Sequence, residues 1–176
     1  IEIDQECIRL IAKRTPVAID LRHITASCNI ATDLERIGDE CCKIARFLKN
    51  SEVEKNSEVE LENAIWKELR PATRLAKNLL SCTIDILARN DTEAAYILIK
   101  DDEELDVQYH NAIRVISSYM IEDTSKITQG IDVLMAAKAL ERIGDHCINI
   151  AESTIFATEG EDIRKHAKRD IRASSR

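Results

Sequence analysis

The stretch Leu34-Glu35-Arg36-Ile37-Gly38-Asp39 returns unchanged as Leu140-Glu141-Arg142-Ile143-Gly144-Asp145. The offset from Glu35 to Glu141, 106 residues, holds without a gap through Cys41/Cys147, Ile44/Ile150 and Ala45/Ala151. An internal repeat constrains architecture before any other feature, because both copies must build the same supersecondary unit. Within each copy the Glu and the Asp stand four apart, which makes them neighbours on one face of a helix. Like charges at that spacing cost a bare helix about 0.2–0.5 kcal/mol. A glycine inside a helix costs about 0.8–1.0 kcal/mol more than alanine. The chain has four glycines, and Gly38 and Gly144 are two of them. A penalty placed identically in both copies calls for a compensating gain.

With two prolines and four glycines in 176 residues, there is little turn material, so long helices are favoured over many short strands. Residues 1–13 read as a helix with Ile1, Ile8, Ile11 and Ala12 on one side. Thr15-Pro16 offers an N-cap and a preset first turn for a second helix over 16–48. Ile30, Leu34, Ile37, Cys41, Ile44 and Leu48 form its apolar stripe. The polar stretch 50–57 reads as a linker. A third helix is expected over 58–89, kinked where Pro71 removes a backbone donor. Asn90-Asp91-Thr92 is a turn with cap chemistry before a helix over 92–121. Asp123-Thr124-Ser125 then caps a helix over 126–158, which Gly160 stops. Residues 164–176 make a polar, basic tail. The organisation expected is the remainder of a first repeat over 1–50, a second three-helix repeat over 58–158 and a tail over 159–176. Shifted back by the offset, the helix starting at Glu58 has its counterpart upstream of Ile1, so the sequence reads as part of a longer one.

Thirty-two acids against 25 bases, a net charge of −7, argue against a general nucleic-acid surface. No apolar run approaches the roughly 20 residues of a membrane span. Cys7, Cys28, Cys41, Cys42, Cys82 and Cys147 include no Cys-x-x-Cys pair, and most sit among apolar residues at helical spacing. They are expected to be reduced core thiols.

The acids carry the candidate chemistry. Glu141/Asp145 and Asp102/Asp106 in the second repeat, and Glu35/Asp39 with Asp4 in the first, place carboxylates on adjacent antiparallel helices. Four carboxylates brought to one spot need cations, and an all-oxygen set suits hard or borderline ions such as Mg²⁺, Mn²⁺ or Fe. The competing reading is an ordinary solvated face, since Glu35 and Asp39 lie away from the apolar stripe. The duplication and the paired glycines favour a surface metal cluster. Glu152 continues the line beyond Glu141, while Lys43 stands where the second repeat has Asn149, so the two sites need not match. Each glycine is expected to face the helix bearing the opposing acids and to set the distance at which both helices share a metal. Arg36 and Arg142 could grip phosphate or a partner's carboxylate through a bidentate fork, or form ion pairs that steady the acids. His146 adjoins Asp145 but points about 100° away around the helix. No Glu-x-x-His pair, phosphate-cradling loop or nucleophile elbow supports an enzyme.

The twin blocks resemble those of the PhoU family, regulators associated with bacterial and archaeal phosphate-specific transport. Arg14-x-Pro16 with Asp20-Leu21-Arg22, and Asp102-x-x-x-Asp106, resemble further motifs of that family, and the resemblance covers nearly the whole chain. It implies an all-α protein of two tandem three-helix repeats, the first lacking its opening helix here. It also implies a cytoplasmic, non-catalytic adaptor, able to form a homodimer, that restrains the phosphate-starvation response. Its implied partners are the ATPase of the phosphate ABC transporter and a sensor histidine kinase, which would hold it at the inner face of the membrane. Members of this family bind metal clusters at such motifs, which implies divalent or trivalent ions (Fe, Zn, Mn or Mg) at Asp4, Glu35, Asp39, Asp102, Asp106, Glu141 and Asp145. A metal-dependent enzyme and a metal-free scaffold are the alternatives.

Overall fold

In a computed structural model, residues 2–53, 65–100, 103–161 and 163 are described, and no strand occurs among them. The helices are α1 (Glu2–Arg14), α2 (Ala18–Val53), α3 (Arg70–Arg89), α4 (Thr92–Lys100), α5 (Glu103–Glu122) and α6 (Ile127–Glu159). A 3-10 turn, Thr124–Lys126, precedes α6. The fold is all-α, as the sequence predicts.

Helix α6 is the axle. It is buried on several sides and packs against α2, α3, α4 and α5, most extensively against α2. Only small side chains allow so many helices to approach one, and Ala136, Ala137, Ala139, Gly144 and Ala151 supply them. The repeat survives as geometry. The 106-residue offset carries Val53, the end of α2, onto Glu159, the end of α6, and Ala18 onto Thr124, where the 3-10 turn begins.

Several local expectations are corrected. Thr15 adopts φ 42°, a left-handed conformation that ends α1 rather than capping α2. Helix α2 starts at Ala18, with Val17 O accepting from Leu21 N at 2.9 Å, and runs to Val53 instead of Leu48. The expected linker 50–57 is therefore helical over its first four residues, and its remainder lies outside the described residues, as do residues 58–64. Residues 65–67 form a helical turn and 68–69 break the ladder, so Pro71 sits in the first turn of a new helix instead of kinking an old one. Proline's missing N–H costs nothing there. The segment expected as one helix over 92–121 is described as α4 and α5 on either side of residues 101–102. Asn90, at φ 51°, terminates α3 through bonds to Ile86 O and Leu87 O, and Asp91 Oδ1 accepts from Ala94 N at 3.0 Å to open α4. Asp123 caps as expected, accepting from Ser125 N at 3.0 Å. Gly160 ends α6 at φ 80°, with the Arg22 guanidinium packed where a Cβ would stand.

The two copies are not equally covered. Leu140 is 5% exposed and Thr154 1%, but their counterparts Leu34 and Leu48 are 40% and 42% exposed. The stripe expected to be buried on α2 is therefore half open: Ile30 and Ile37 are buried, Leu34, Cys41 and Leu48 exposed. In the second repeat that face is covered by α3, α4 and α5. On α1 the buried residue is Cys7, and Ile8 and Ile11 of the apolar side are exposed. The cysteines follow suit. Cys7 and Cys147 are buried, Cys28 half-buried, and Cys41, Cys42 and Cys82 exposed, so the expectation that most are core thiols fails.

Candidate acidic sites

The second repeat gathers its acids most closely. Glu141 and Asp145 lie one turn apart on α6, facing the start of α5, where Leu105 packs under Gly144 and Asp106 follows. Burial on one side pushes the Asp145 carboxyl above its ordinary value, and the negative charges of Glu141 and Asp106 add to the rise against Lys138 and His146. The three carboxylates thus sense one another across two helices. Lys138, one turn before Glu141, answers them. Its Nζ lies 2.5 Å from Glu141 Oε2 and 5.2 Å from the centroid of the Tyr109 ring. Glu141, Asp145 and Tyr109 all favour the charged lysine and raise its pKa, the bond to Glu141 most of all. Nothing in the sequence had singled out Lys138. The signal was its i,i+3 spacing to Glu141, which is common on any helix.

The first repeat is looser. Glu35 and Asp4 border one shallow groove with Glu2, Ile3, Ala31 and Thr32, and Asp39 is exposed a turn further along α2. Thr32 replaces Lys138 and donates to Cys28 O at 2.9 Å, so Glu35 has no equivalent lysine. By the offset Asp4 corresponds to His110 and not to Asp106, whose counterpart falls before Ile1. Asp102 lies outside the described residues. His110 Nδ1 is 2.8 Å from Asp106 O and points into a separate small pocket with Asp106 and Arg114.

The glycines differ as well. A Cβ on Gly144 would come within 2.5 Å of Leu105 Cδ2, as expected of a residue set against the acid-bearing helix. A Cβ on Gly38 would meet nothing within 4 Å, so the same expectation fails in the first copy. The offset maps Leu105 to a position before Ile1, which leaves Gly38 facing no counterpart among the described residues.

Arg142 and His146 belong to the seam between α2 and α6. Arg142 Nη1 lies 3.2 Å from Glu40 Oε1, which Lys43 also approaches at 2.9 Å. Arg36 is exposed. His146 is buried, with Nδ1 2.8 Å from Asp33 Oδ1. A carboxylate can only accept, so that ring nitrogen donates. Asn149 Nδ2 donates to the same oxygen at 3.3 Å. His146 is thereby turned towards Asp33 and away from the metal candidates. Glu40 and Asp33, both buried, were missed in the sequence because an acid at a buried position looks like any other acid on a charged helix.

The carboxylates suit a hard cation in charge and donor type. No three His, Cys, Asp or Glu side chains among the described residues are arranged to hold an ion, and Lys138 supplies positive charge at the second site instead. No described helix is long and apolar enough to cross a membrane.

A tandem helical repeat with paired acids on its long helices defines a class of all-α repeat proteins. The PhoU domain model matches residues 1–48 and 69–154, and the chain belongs to the PhoU family. It is 40% identical over 164 residues to the phosphate-specific transport system accessory protein PhoU homolog of a Burkholderia species, covering 93% of this chain and 68% of that one. With the Escherichia coli K12 protein PhoU it shares 34% identity over 164 residues, covering 93% and 66% respectively. Against a Pseudomonas putida homolog it spans 61% of the relative, so the chain represents roughly two thirds of the curated proteins it matches. The crystal structure of PhoU from Pseudomonas aeruginosa superposes with a TM-score of 0.83 at 36% identity, over 91% of this chain and 74% of that one. PhoU from Streptococcus pneumoniae, described as a phosphate transport system regulatory protein, gives 0.74 at 25% identity, over 91% and 75%.

Proposed function

We propose that this chain is a regulatory adaptor of phosphate-specific transport that restrains the phosphate-starvation response, works without catalysis and takes a multivalent cation at its acidic pairs. The observation that carries this reading is the duplicated Glu-Arg-Ile-Gly-Asp block, in a chain whose relatives are named accessory proteins of that transport system. The partners proposed are the transporter's ATPase and a sensor histidine kinase, met at the inner face of the membrane. Residues 1–50 would act as the remainder of one repeat and 58–158 as the second.

The cation reading rests on the second site. Asp106, Glu141 and Asp145 would supply the oxygen donors, with Asp102 as a further candidate. A bound ion would stabilise their mutual charge, the work Lys138 does in its absence. Lys138 would have to turn aside, and its long stem permits that.

A host lacking its own PhoU, carrying a reporter for a phosphate-starvation promoter, tests the regulatory part. The protein that contains this chain should silence the reporter in high phosphate, and its Glu141→Ala/Asp145→Ala variant should not. A reporter that stays fully on with the parent protein present at normal level would overturn the adaptor reading.

A further inference from the structure

Helix α1 is lightly held. Of its described residues only Cys7 is buried, Ile3, Ile8 and Ile11 are exposed, and its main neighbour is α2. The side chain it commits to that seam is a thiol, and the thiol meets another. Cys7 Sγ donates to Ile24 O at 3.8 Å. Ile24 stands one turn before Cys28 on α2, and the Cys28 side chain is hydrogen-bonded to Cys7. The register continues along the seam. Three residues back from Cys7 on α1 comes Asp4, three residues on from Cys28 on α2 comes Ala31, and these two border one groove.

A disulfide forms only where two cysteines already approach each other across neighbouring backbones. The fold supplies that approach at Cys7 and Cys28. Cys28 is half-buried, within reach of a small reagent, and Cys7 is buried beside it.

We propose that Cys7 and Cys28 are a redox-modified pair, joined by exchange with a small disulfide of the glutathione class into a bond that pins α1 to α2. Cys28 gives its proton to solvent and attacks one sulfur of the small disulfide, whose S–S bond breaks to release one thiol. Cys7 then loses its proton and attacks Cys28 Sγ in the mixed disulfide, expelling the second small thiol. Two protein thiols are oxidised, one small disulfide is reduced to two thiols, and no further reactant is needed. Burial, Cys7 and the charge of Asp4 push the Cys28 thiol up to about 11, which makes it a scarce nucleophile and a poor leaving group. The bond therefore forms slowly and is slowly reduced, a lasting change of state and not a rapid sensor. Once formed it holds Asp4 beside Glu35 in the groove they border. The proposal goes beyond the regulatory reading and stands whether or not that groove takes a cation.

The test incubates the reduced full chain with oxidised glutathione at mildly alkaline pH, blocks the remaining thiols with N-ethylmaleimide and maps linked peptides by mass spectrometry without reduction. Cys7–Cys28 should be the dominant linkage in the folded chain and lose that dominance in urea, where the helices no longer align the pair. Cys41→Ser/Cys42→Ser/Cys82→Ser should form it to the same extent. Amide hydrogen exchange in α1 should slow severalfold in the bonded form, with α6 unchanged, and Cys28→Ser should show no slowing under the same oxidant. A glutathione adduct on Cys28 that Cys7 never resolves would overturn the pairing. So would a Cys7–Cys28 linkage no commoner in the folded chain than in urea. Exchange in α1 that is the same with and without the bond would overturn the pinning of the helix.

Discussion

A methyl group added at position 144 would come within 2.5 Å of Leu105 Cδ2, so the buried Leu105 side chain must shift, whereas one added at position 38 would enter open space. Identical sequence therefore predicts opposite outcomes. Gly144→Ala should destabilise the fold by about 1–3 kcal/mol, the usual cost of overpacking. Gly38→Ala should stabilise it by up to about 1 kcal/mol through helix propensity. Urea titrations of the two variants check this, and a shared sign would show that the glycine's surroundings do not decide its effect. Asp145 carries a pH signature. Its carboxyl titrates above its ordinary value in the folded chain, so the folded state holds the proton more tightly than the unfolded one. Stability should consequently decline as pH rises from the unfolded pKa through the folded one. Asp145→Asn should remove that decline and leave the protein more stable at neutral pH. A variant whose stability falls with pH over that window as steeply as the parent's would contradict the assignment. Cys28 makes a further contrast, because burial, aided by Cys7 and the charge of Asp4, pushes its thiol up to about 11. Thiolate chemistry at neutral pH should be slow there.

Between elements, the contact that joins the two copies is polar at its centre. Asp33 and Glu40 are buried on α2, and each finds its partner on α6, His146 for one and Arg142 for the other. Buried polar groups are costly unless paired, so removing one member strands the other. Asp33→Ala should cost about 1–3 kcal/mol, the penalty for leaving a buried donor unmet. A double-mutant cycle with His146→Ala should return a coupling of about 0.5–3 kcal/mol. Additive losses in the cycle would remove the pair from the seam. These partners are set by tertiary packing, which explains why no periodicity announced them. Helix identity was legible because long apolar periodicities and cap residues are local. What failed was also local chemistry misapplied: Thr15 looked like a cap but takes a left-handed backbone, and Pro71 looked like a kink but starts a helix. The apolar stripe of α2 is plain in the sequence, yet a pattern does not say which side is covered. Leu34 and Leu48 remain open where Leu140 and Thr154 are sealed by α3–α5.

At the scale of the whole molecule, the repeat is an architectural symmetry with unequal chemistry. Equivalent long helices end in register, and the block Glu-Arg-Ile-Gly-Asp occupies corresponding places on both. The sequence revealed that much, including which carboxylates share a face. It could not reveal that Lys138 would stand among them in one copy while Thr32 stands in the other, since that depends on side chains meeting across helices. In the proposed reading the acidic pair of the second repeat is a cation site whose charge Lys138 balances when no ion is bound. Lys138→Met should therefore tighten cation binding, by removing a competing positive charge beside Glu141 and Asp145. The most direct measurement is equilibrium dialysis of the chain against Mn²⁺, with bound metal quantified for the parent, Lys138→Met and Glu141→Gln/Asp145→Asn. A cation site of this kind requires binding in the parent, tighter binding in Lys138→Met and loss of second-repeat metal in the double variant. A parent that binds no Mn²⁺, or a double variant that binds it as the parent does, would contradict the claim.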